Sequence, residues 1–149
     1  MSLLRREEYI RRGFRNKEVS FSIEDLSAAI QQISYVYFAY LFGSAKNAVI
    51  PEYGDIDIAV YVSDDKKSDW DSVSHIISTI EQFLQYQAEC DLTILNTAGL
   101  YLGYEILKGK CLFVKPQYED LFCNVFVKTC YEMEEANYLR KKYEQYSKL

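Results

Sequence analysis

The spacing of hydrophobic and polar positions divides the chain into short extended segments and longer helical ones. Residues 35–42 (YVYFAYLF) are almost entirely aromatic, aliphatic or β-branched, and the run is too short for an ordinary helix, so it predicts a buried strand. Residues 55–62 and 88–95 alternate polar and apolar side chains over part of their length, which predicts two further strands. A short apolar run at 111–114 predicts a fourth strand.

Apolar residues at helical spacing predict the elements between these strands. Ser22 with Asp25, and Ser68 with Asp71, resemble capping boxes and predict the beginnings of two helices. The predicted apolar faces of these helices consist of Ile23, Leu26, Ile30 and Ile33 in the first and of Trp70, Val73, Ile77, Ile80 and Leu84 in the second.

Two more helices are predicted in the second half of the chain. One runs from Thr97 to Lys108, and Gly109 lies where the glycine after a helix C-terminus is expected. Pro116 precedes a long C-terminal helix, whose polar and basic end, residues 139–149, is predicted to project into solvent or to pack on a partner. Its predicted core face consists of Tyr118, Phe122, Val125, Phe126, Met133 and Ala136. The whole pattern indicates a mixed α/β (α+β) fold in a single domain, residues 1–149.

Composition limits the cellular compartment of the protein and the kinds of metal or disulfide site it can contain. The first ten residues, MSLLRREEYI, are rich in charge, and no apolar run approaches the roughly 18 residues of a spanning helix. We therefore expect a soluble, cytoplasmic protein without a membrane partner. Cys90, Cys111, Cys123 and Cys130 form no C-x-x-C pair, and His75 is the one histidine, so we expect reduced, mostly buried thiols rather than zinc ligands or disulfides.

Charge is distributed unevenly along the chain. Residues 1–17 hold six basic residues against two acidic ones, which leaves 11 basic and 20 acidic residues in the remainder of a chain with net charge −5. An acidic body does not favour nucleic acid as a direct partner. The basic arm 1–17 is interpreted either as a solvated, frayed N-terminus or as a segment that steers an acidic partner or a nucleotide.

The first candidate for chemistry is Gly43-Ser44, directly after the predicted strand 35–42. Glycine leaves the backbone open to a phosphate, and serine adds a hydroxyl donor beside backbone N–H groups. A Gly-Ser pair after a strand is most often only a turn, so this feature alone leaves both interpretations open.

The second candidate is a set of aspartates on two predicted strands. Strand alternation places Asp55 and Asp57 on one face, where their charges repel unless a cation or water separates them. Mg²⁺ accepts one or two carboxylates and completes its shell with phosphates and water, while a solvated strand start is the alternative interpretation. Asp91 is either an edge-strand charge or, on a neighbouring strand, the third carboxylate of a cluster.

These motifs together resemble those of the minimal nucleotidyltransferase family of the polymerase β superfamily. The resemblance rests on Gly43-Ser44, ten intervening residues, Asp55-Ile56-Asp57 and the later strand residue Asp91, and it covers about residues 20–140. It implies a polymerase β-like nucleotidyltransferase fold, with a small mixed sheet flanked by helices and a long C-terminal helix.

The same resemblance implies nucleotidyl transfer from ATP with Mg²⁺, expected as two ions. The implied catalytic and metal-binding carboxylates are Asp55, Asp57 and Asp91, the last of which would also help to deprotonate the acceptor. The implied ligands of the ATP phosphates are Gly43, Ser44 and Lys46. Family members often carry a basic residue followed by glycine soon after the Gly-Ser pair, and a serine before the first aspartate. Here Ala45-Lys46-Asn47-Ala48 and Gly54 stand in those places, and Lys46 is expected to supply the charge from a shifted position.

The resemblance to the small members of this family also implies an acceptor. Small single-domain members resemble antitoxins encoded with a HEPN-domain ribonuclease toxin, which implies a hetero-oligomer and transfer of AMP to a toxin tyrosine. One alternative is a small-molecule nucleotidyltransferase similar to the aminoglycoside-modifying relatives, and another is a catalytically weak antitoxin that acts by binding. The tyrosines of the C-terminal helix are interpreted as packing or interface residues, with self-modification as a weaker alternative. They include Tyr131, Tyr138, Tyr143 and Tyr146.

Overall fold

A central four-stranded sheet organises the protein, which we describe from a computed structural model of residues 7–8, 11–13 and 17–148. Its mixed α/β architecture confirms the predicted fold class. In chain order the elements are β1 (Val19–Ser20), α1 (Ile23–Gln31), β2 (Val36–Phe42), β3 (Val49–Ile50), β4 (Asp55–Val62), α2 (Trp70–Phe83), β5 (Glu89–Ile94), α3 (Leu100–Leu107), β6 (Lys110–Val114) and α4 (Glu119–Ser147).

The strand order of the main sheet is β5–β4–β2–β6, and β1 pairs with β3 in a separate two-stranded sheet. β2 is antiparallel to both β4 and β6, whereas β4 and β5 are parallel. The end of β2 therefore lies beside the start of β4 and the start of β6. At the opposite end, the Asn96 side chain accepts from Val62 N–H at 3.0 Å and donates to Val62 C=O at 2.8 Å, which ties the segment after β5 to the end of β4.

Each face of the sheet is covered by one pair of helices. On the first face, Ile56 and Ile58 of β4 pack in one cluster with apolar side chains of α1 and α2. On the second face, Phe38 and Ala59 pack with residues of α3 and α4. Since strand side chains alternate, Asp55 and Asp57 share the second face with Ala59. The carboxylates are thus directed toward the side of the sheet that carries α3.

The predicted caps are confirmed at α1 and corrected at α2. Ser22 is the N-cap of α1, and its hydroxyl accepts a hydrogen bond from Asp25 N–H at 3.2 Å. The N-cap of α2 is Asp69 rather than Ser68, and the Asp69 carboxylate accepts from the Ser72 hydroxyl. Trp70, predicted on the core face, is 78% exposed because it is the first residue of the helix and lies at the edge of the core.

The C-terminal helix α4 contacts the body through its first turns. The ring of Tyr118, just before the helix, stacks on Tyr37 at 3.5 Å between centroids, and Phe122 meets Phe38 edge-on at 5.1 Å. No residue of α4 is fully buried, and Phe126, predicted to face the core, is exposed. The last turns carry exposed large side chains: Tyr131, Tyr138, Leu139, Tyr143 and Tyr146.

Two further expectations have structural outcomes, and a third falls mostly outside the described residues. Much of the basic arm 1–17 and the last residue, Leu149, lie outside the described residues. All four cysteines are free thiols, but only Cys90 is buried, and Cys111 and Cys123 are exposed, so the expectation of mostly buried thiols was wrong. Across the described ranges, no helix combines the length and apolar character that crossing a membrane requires.

Candidate active site

The turn after β2 is built around Gly43. Its φ is +73°, in the left-handed region that favours glycine. A Cβ at this position would lie 2.3 Å from Asp57 Oδ2, so the absence of a side chain is what allows the turn to rest against the carboxylate. Gly43 and Ser44 begin a short 3₁₀ turn that ends at the buried Ala45, and both lie exposed on its outer side. The predicted phosphate-binding turn and the predicted metal-binding strand are therefore in direct contact.

The carboxylates lie on β4 and β5 near their starts. Asp57 is paired in register with Phe42 on one side and with Asp91 on the other, and Asp55 is paired with Glu89. Asp55 and Asp57 are half-buried, whereas Asp91 is exposed. Paired residues of neighbouring strands share a face, so the register places the three predicted aspartates and Glu89, four acidic side chains in all, on one face of the two adjoining strands.

The carboxylate oxygens of the site suit a hard cation that keeps part of its coordination shell for other ligands. Mg²⁺ prefers carboxylate oxygens and is commonly held by one or two carboxylates together with substrate phosphates. Asp55 and Asp57 provide such a pair on a rigid strand. Within the residues described, no three carboxylate, thiol or imidazole groups are arranged closely enough to enclose a metal ion. The role of Asp91 as a third ligand stays a prediction.

Glu89, the fourth acidic residue, has a cationic partner that was not predicted from the sequence. Arg12 forms an ion pair with Glu89, and this hydrogen bond raises the pKa of the guanidinium, which keeps it charged. Since 77 residues separate the two, only the folded arrangement brings them together. Part of the basic N-terminal segment thus contacts the acidic edge of the site.

A cavity of about 400 Å³ opens beside the Gly43 turn. Lys46, predicted to bind phosphates, is part of its lining, and the end of α3 contributes further lining residues. The sequence interpretation missed two charged residues there, Glu105 and Lys108. The full lining is Phe42, Gly43, Lys46, Glu105, Lys108 and Gly109. The pairing of β6 with the end of β2 accounts for the proximity, and that pairing is not visible in local sequence patterns.

Gly109 is required by close packing rather than by a left-handed conformation. It follows α3 as predicted, and its N–H donates to Ile106 C=O at 2.9 Å. A Cβ there would lie 2.7 Å from Leu41 C=O and 3.0 Å from Phe42 Cβ. The backbone after α3 therefore packs directly against the end of β2, one residue before the Gly43 turn.

The loop between the two motifs contains non-glycine residues in the left-handed region. Ala48 has φ 68° and Tyr53 has φ 58°. Ala48 lies in the segment where family members often have glycine, so the chain keeps a left-handed backbone there without the residue that adopts it most easily. Gly54, in place of the frequent serine, packs on Pro51: a Cβ would lie 2.9 Å from Pro51 C=O.

Residues 24–118 match the family model described as "Polymerase beta, Nucleotidyltransferase", a match that spans more than half of the 149 residues. The chain belongs to the polymerase beta nucleotidyltransferase family. The matched region of this nucleotidyltransferase contains the Gly43 turn, all three predicted aspartates and the α3 side of the cavity. The comparison with curated proteins found no match.

Three solved structures similar to this nucleotidyltransferase are described as toxins, antitoxins or complexes of the two. A tri-AMPylated Shewanella oneidensis HEPN toxin in complex with MNT antitoxin gives 20% identity and a TM-score of 0.57, covering 86% of this chain and 100% of that chain. A toxin–antitoxin structure with AMP-PNP gives 22% identity and a TM-score of 0.61, and the match covers 85% of this chain and 98% of that chain. A mutant MntA–HpeT toxin–antitoxin gives 19% identity and a TM-score of 0.62, and the match covers 87% of this chain and 100% of that chain. At these identities the likeness establishes a shared fold.

Proposed function

We propose that this nucleotidyltransferase is an antitoxin that transfers AMP from ATP to a tyrosine hydroxyl of a HEPN-domain ribonuclease toxin, within a hetero-oligomer in the cytoplasm. The observation that carries the proposal is the contact between the Gly43 turn and the Asp57 carboxylate, because it joins the backbone that we assign to the phosphates with the carboxylate pair that we assign to the metal. The choice of acceptor is supported by the similarity to MNT antitoxin in complex with a tri-AMPylated HEPN toxin.

The residues of the site have complementary roles toward ATP. Asp55 and Asp57 would hold Mg²⁺, which neutralises charge on the triphosphate and on the departing pyrophosphate when it is bound. The N–H groups of the Gly43-Ser44 turn and the Ser44 hydroxyl donate hydrogen bonds to the terminal phosphates. These contacts align the bond that must break, so positioning and electrostatic stabilisation supply most of the catalysis.

The reaction joins the tyrosine oxygen of the toxin to the α-phosphorus of ATP. The bond between the α-phosphorus and its bridging oxygen breaks, and pyrophosphate leaves with the electron pair. A phenol has a pKa near 10, so its proton needs an acceptor, and Asp91 takes this role in the proposal. The attached AMP places a negative charge near the RNA-cutting site, where it repels and obstructs RNA.

The test is incubation of the purified chain with α-labelled ATP, Mg²⁺ and the product of the adjacent gene. We expect label on a toxin tyrosine, loss of labelling with a chelator, and loss with either Asp55→Asn or Asp57→Asn. Asp64→Asn is the matched control, because Asp64 is 90% exposed in a loop after β4 and pairs with Lys67. Binding of the toxin to each variant, measured by gel filtration, separates loss of chemistry from loss of the complex.

Each other outcome selects a different function. Transfer that survives Asp57→Asn would show that the metal assignment is wrong. Label on an added aminoglycoside instead of the toxin would identify a small-molecule enzyme. A tight toxin complex without label would identify an antitoxin that acts by binding, and an AMP increment in the intact mass of the chain itself would reveal self-modification.

A further inference from the structure

The cavity beside the Gly43 turn is lined by two charged residues of α3 and its C-terminus, Glu105 and Lys108, that have no role in the proposed reaction. Its volume of about 400 Å³ lies in the range of small-ligand sites. Lys46 and Lys108 line it from opposite elements, the turn after β2 and the end of α3, with Glu105 as the acidic residue of the lining. On a chain of net charge −5, this is a local concentration of positive charge next to an acidic metal-binding face.

The backbone that carries Lys108 is held firmly at this place. Lys108 N–H donates to Tyr104 C=O at 3.2 Å, and the following Gly109 packs so closely on Leu41 that a Cβ has no room. The next residue, Lys110, is paired in register with Leu41. The attachment point of the Lys108 side chain is therefore fixed relative to the Gly43 turn.

The side chain of Lys108 has a partner that a phosphate can replace. Its Nζ lies 2.8 Å from Glu105 Oε1 and 5.0 Å from the centre of the Tyr104 ring. An exposed ion pair three residues apart on a helix stabilises the fold only weakly, because solvent screens it. A phosphate group offers three acceptor oxygens and more charge, and charge-assisted hydrogen bonds to it are stronger than ordinary ones. Exchange of Glu105 for phosphate therefore requires no change in the fold.

We infer that Lys108 is a phosphate-binding residue that acts with Lys46 on the terminal phosphates of the nucleoside triphosphate, and that Glu105 is its counter-ion before the nucleotide binds. The inference rests on the proposed function, because it assigns the cavity to the departing pyrophosphate of that reaction. It also separates two tasks within the site. The carboxylates hold the metal, and the two lysines hold the part of the substrate that leaves.

The experiment measures ligand affinity of the full chain by calorimetry, with Mg²⁺ present, for AMP-PNP, inorganic pyrophosphate and AMP. We expect Lys108→Gln to weaken AMP-PNP and pyrophosphate about tenfold and to leave AMP unchanged, since AMP lacks the terminal phosphates. Lys108→Arg restores most of the affinity, and Glu105→Gln tightens it about twofold by removing the competing carboxylate. The transfer assay should show a higher KM for ATP in Lys108→Gln.

Lys110→Gln is the matched control, because it removes the same charge two residues away from outside the cavity lining. Equal losses in Lys108→Gln and Lys110→Gln would overturn the inference by showing a long-range charge effect. Equal loss of AMP affinity in Lys108→Gln would overturn it by showing a structural effect. A wild-type chain that binds neither AMP-PNP nor pyrophosphate would overturn both this inference and the proposed function, whereas binding by the wild type that Lys108→Gln leaves intact overturns this inference alone.

Discussion

Ala48→Gly is expected to stabilise the protein, although glycine usually lowers stability. Ala48 has φ 68°, and its backbone is held in that conformation from both sides. Its N–H donates to Ala45 C=O at 3.0 Å, and its C=O accepts from Phe21 N–H at 3.1 Å. Both bonds involve only the backbone of residue 48, so they persist in the glycine variant.

The magnitude follows from three opposing contributions to the free energy of unfolding. A left-handed conformation costs an L-residue about 1–2 kcal/mol, which glycine avoids. Glycine makes the unfolded chain more flexible, which removes about 0.4–1 kcal/mol, and loss of a half-buried methyl group removes about 0.4 kcal/mol more. Near the middle of these ranges the net gain for Ala48→Gly is about 0.5 kcal/mol, or a rise in Tm of about 1–2 °C.

A control at another alanine sharpens the measurement. Ala28 is exposed in the interior of α1, where glycine lowers stability by about 1 kcal/mol relative to alanine. Urea unfolding of the two variants beside the wild type should therefore give midpoints that move in opposite directions. The separation between Ala48→Gly and Ala28→Gly is expected to be about 1.5 kcal/mol. If Ala48→Gly is destabilised as much as Ala28→Gly, the left-handed conformation at residue 48 does not strain the folded protein.

Three other substitutions test the site and its support. Gly43→Ala should reduce AMP transfer on the order of 100-fold, because the new methyl group displaces the Asp57 carboxylate; a loss below fivefold in initial rate would contradict the contact. Gly109→Ala should lower the unfolding free energy by about 1–3 kcal/mol through its clash with Leu41 C=O, and an unchanged urea midpoint would speak against that packing. Burial raises the pKa of the Glu81 carboxyl above its ordinary 4.5, so the charged form disfavours folding once the pH exceeds that value. Glu81→Gln should thus stabilise the protein at pH 7.5 but not at pH 4.5, and a gain independent of pH would refute burial as its cause.

Local patterns predicted the four strands of the main sheet well because each strand face is decided by neighbours two residues apart, but they did not reveal the two-residue strands β1 and β3. The run 35–42 became β2 almost unchanged, and the predicted strand 55–62 became β4 with the same bounds. Helical periodicity predicted which side chains share one face of a helix. It did not predict how much of that face the rest of the protein covers. Trp70 and Phe126 were misplaced for this reason, since Trp70 begins its helix at the margin of the core and Phe126 stays 38% exposed although its ring neighbours that of Phe122.

The candidate site was likewise only partly predictable from the sequence. Gly43 and Asp57 were recognisable because two motifs at a fixed separation carry more information than either one. Their contact, and the pairing of Arg12 with Glu89, depend on the order of strands and on segments far apart in the chain. The end of α3 reaches the site only because β6 pairs with β2, so Lys108 had no sequence signal that linked it to phosphate binding.

The position of Lys108 gives a physical reason for the atypical loop. The family often places a basic residue and then glycine soon after the Gly-Ser pair, and this chain has Asn47 and Ala48 in that segment. A phosphate needs a cation within reach, but the cation need not come from the same loop, since Coulomb attraction depends on distance and not on sequence position. Lys108 supplies a positive charge from the end of α3 to the same cavity that Lys46 lines. On this argument Lys46→Gln alone should weaken pyrophosphate binding only partly, and the double variant with Lys108→Gln should abolish it. A single Lys46→Gln variant that already binds no pyrophosphate would assign the whole task to the loop.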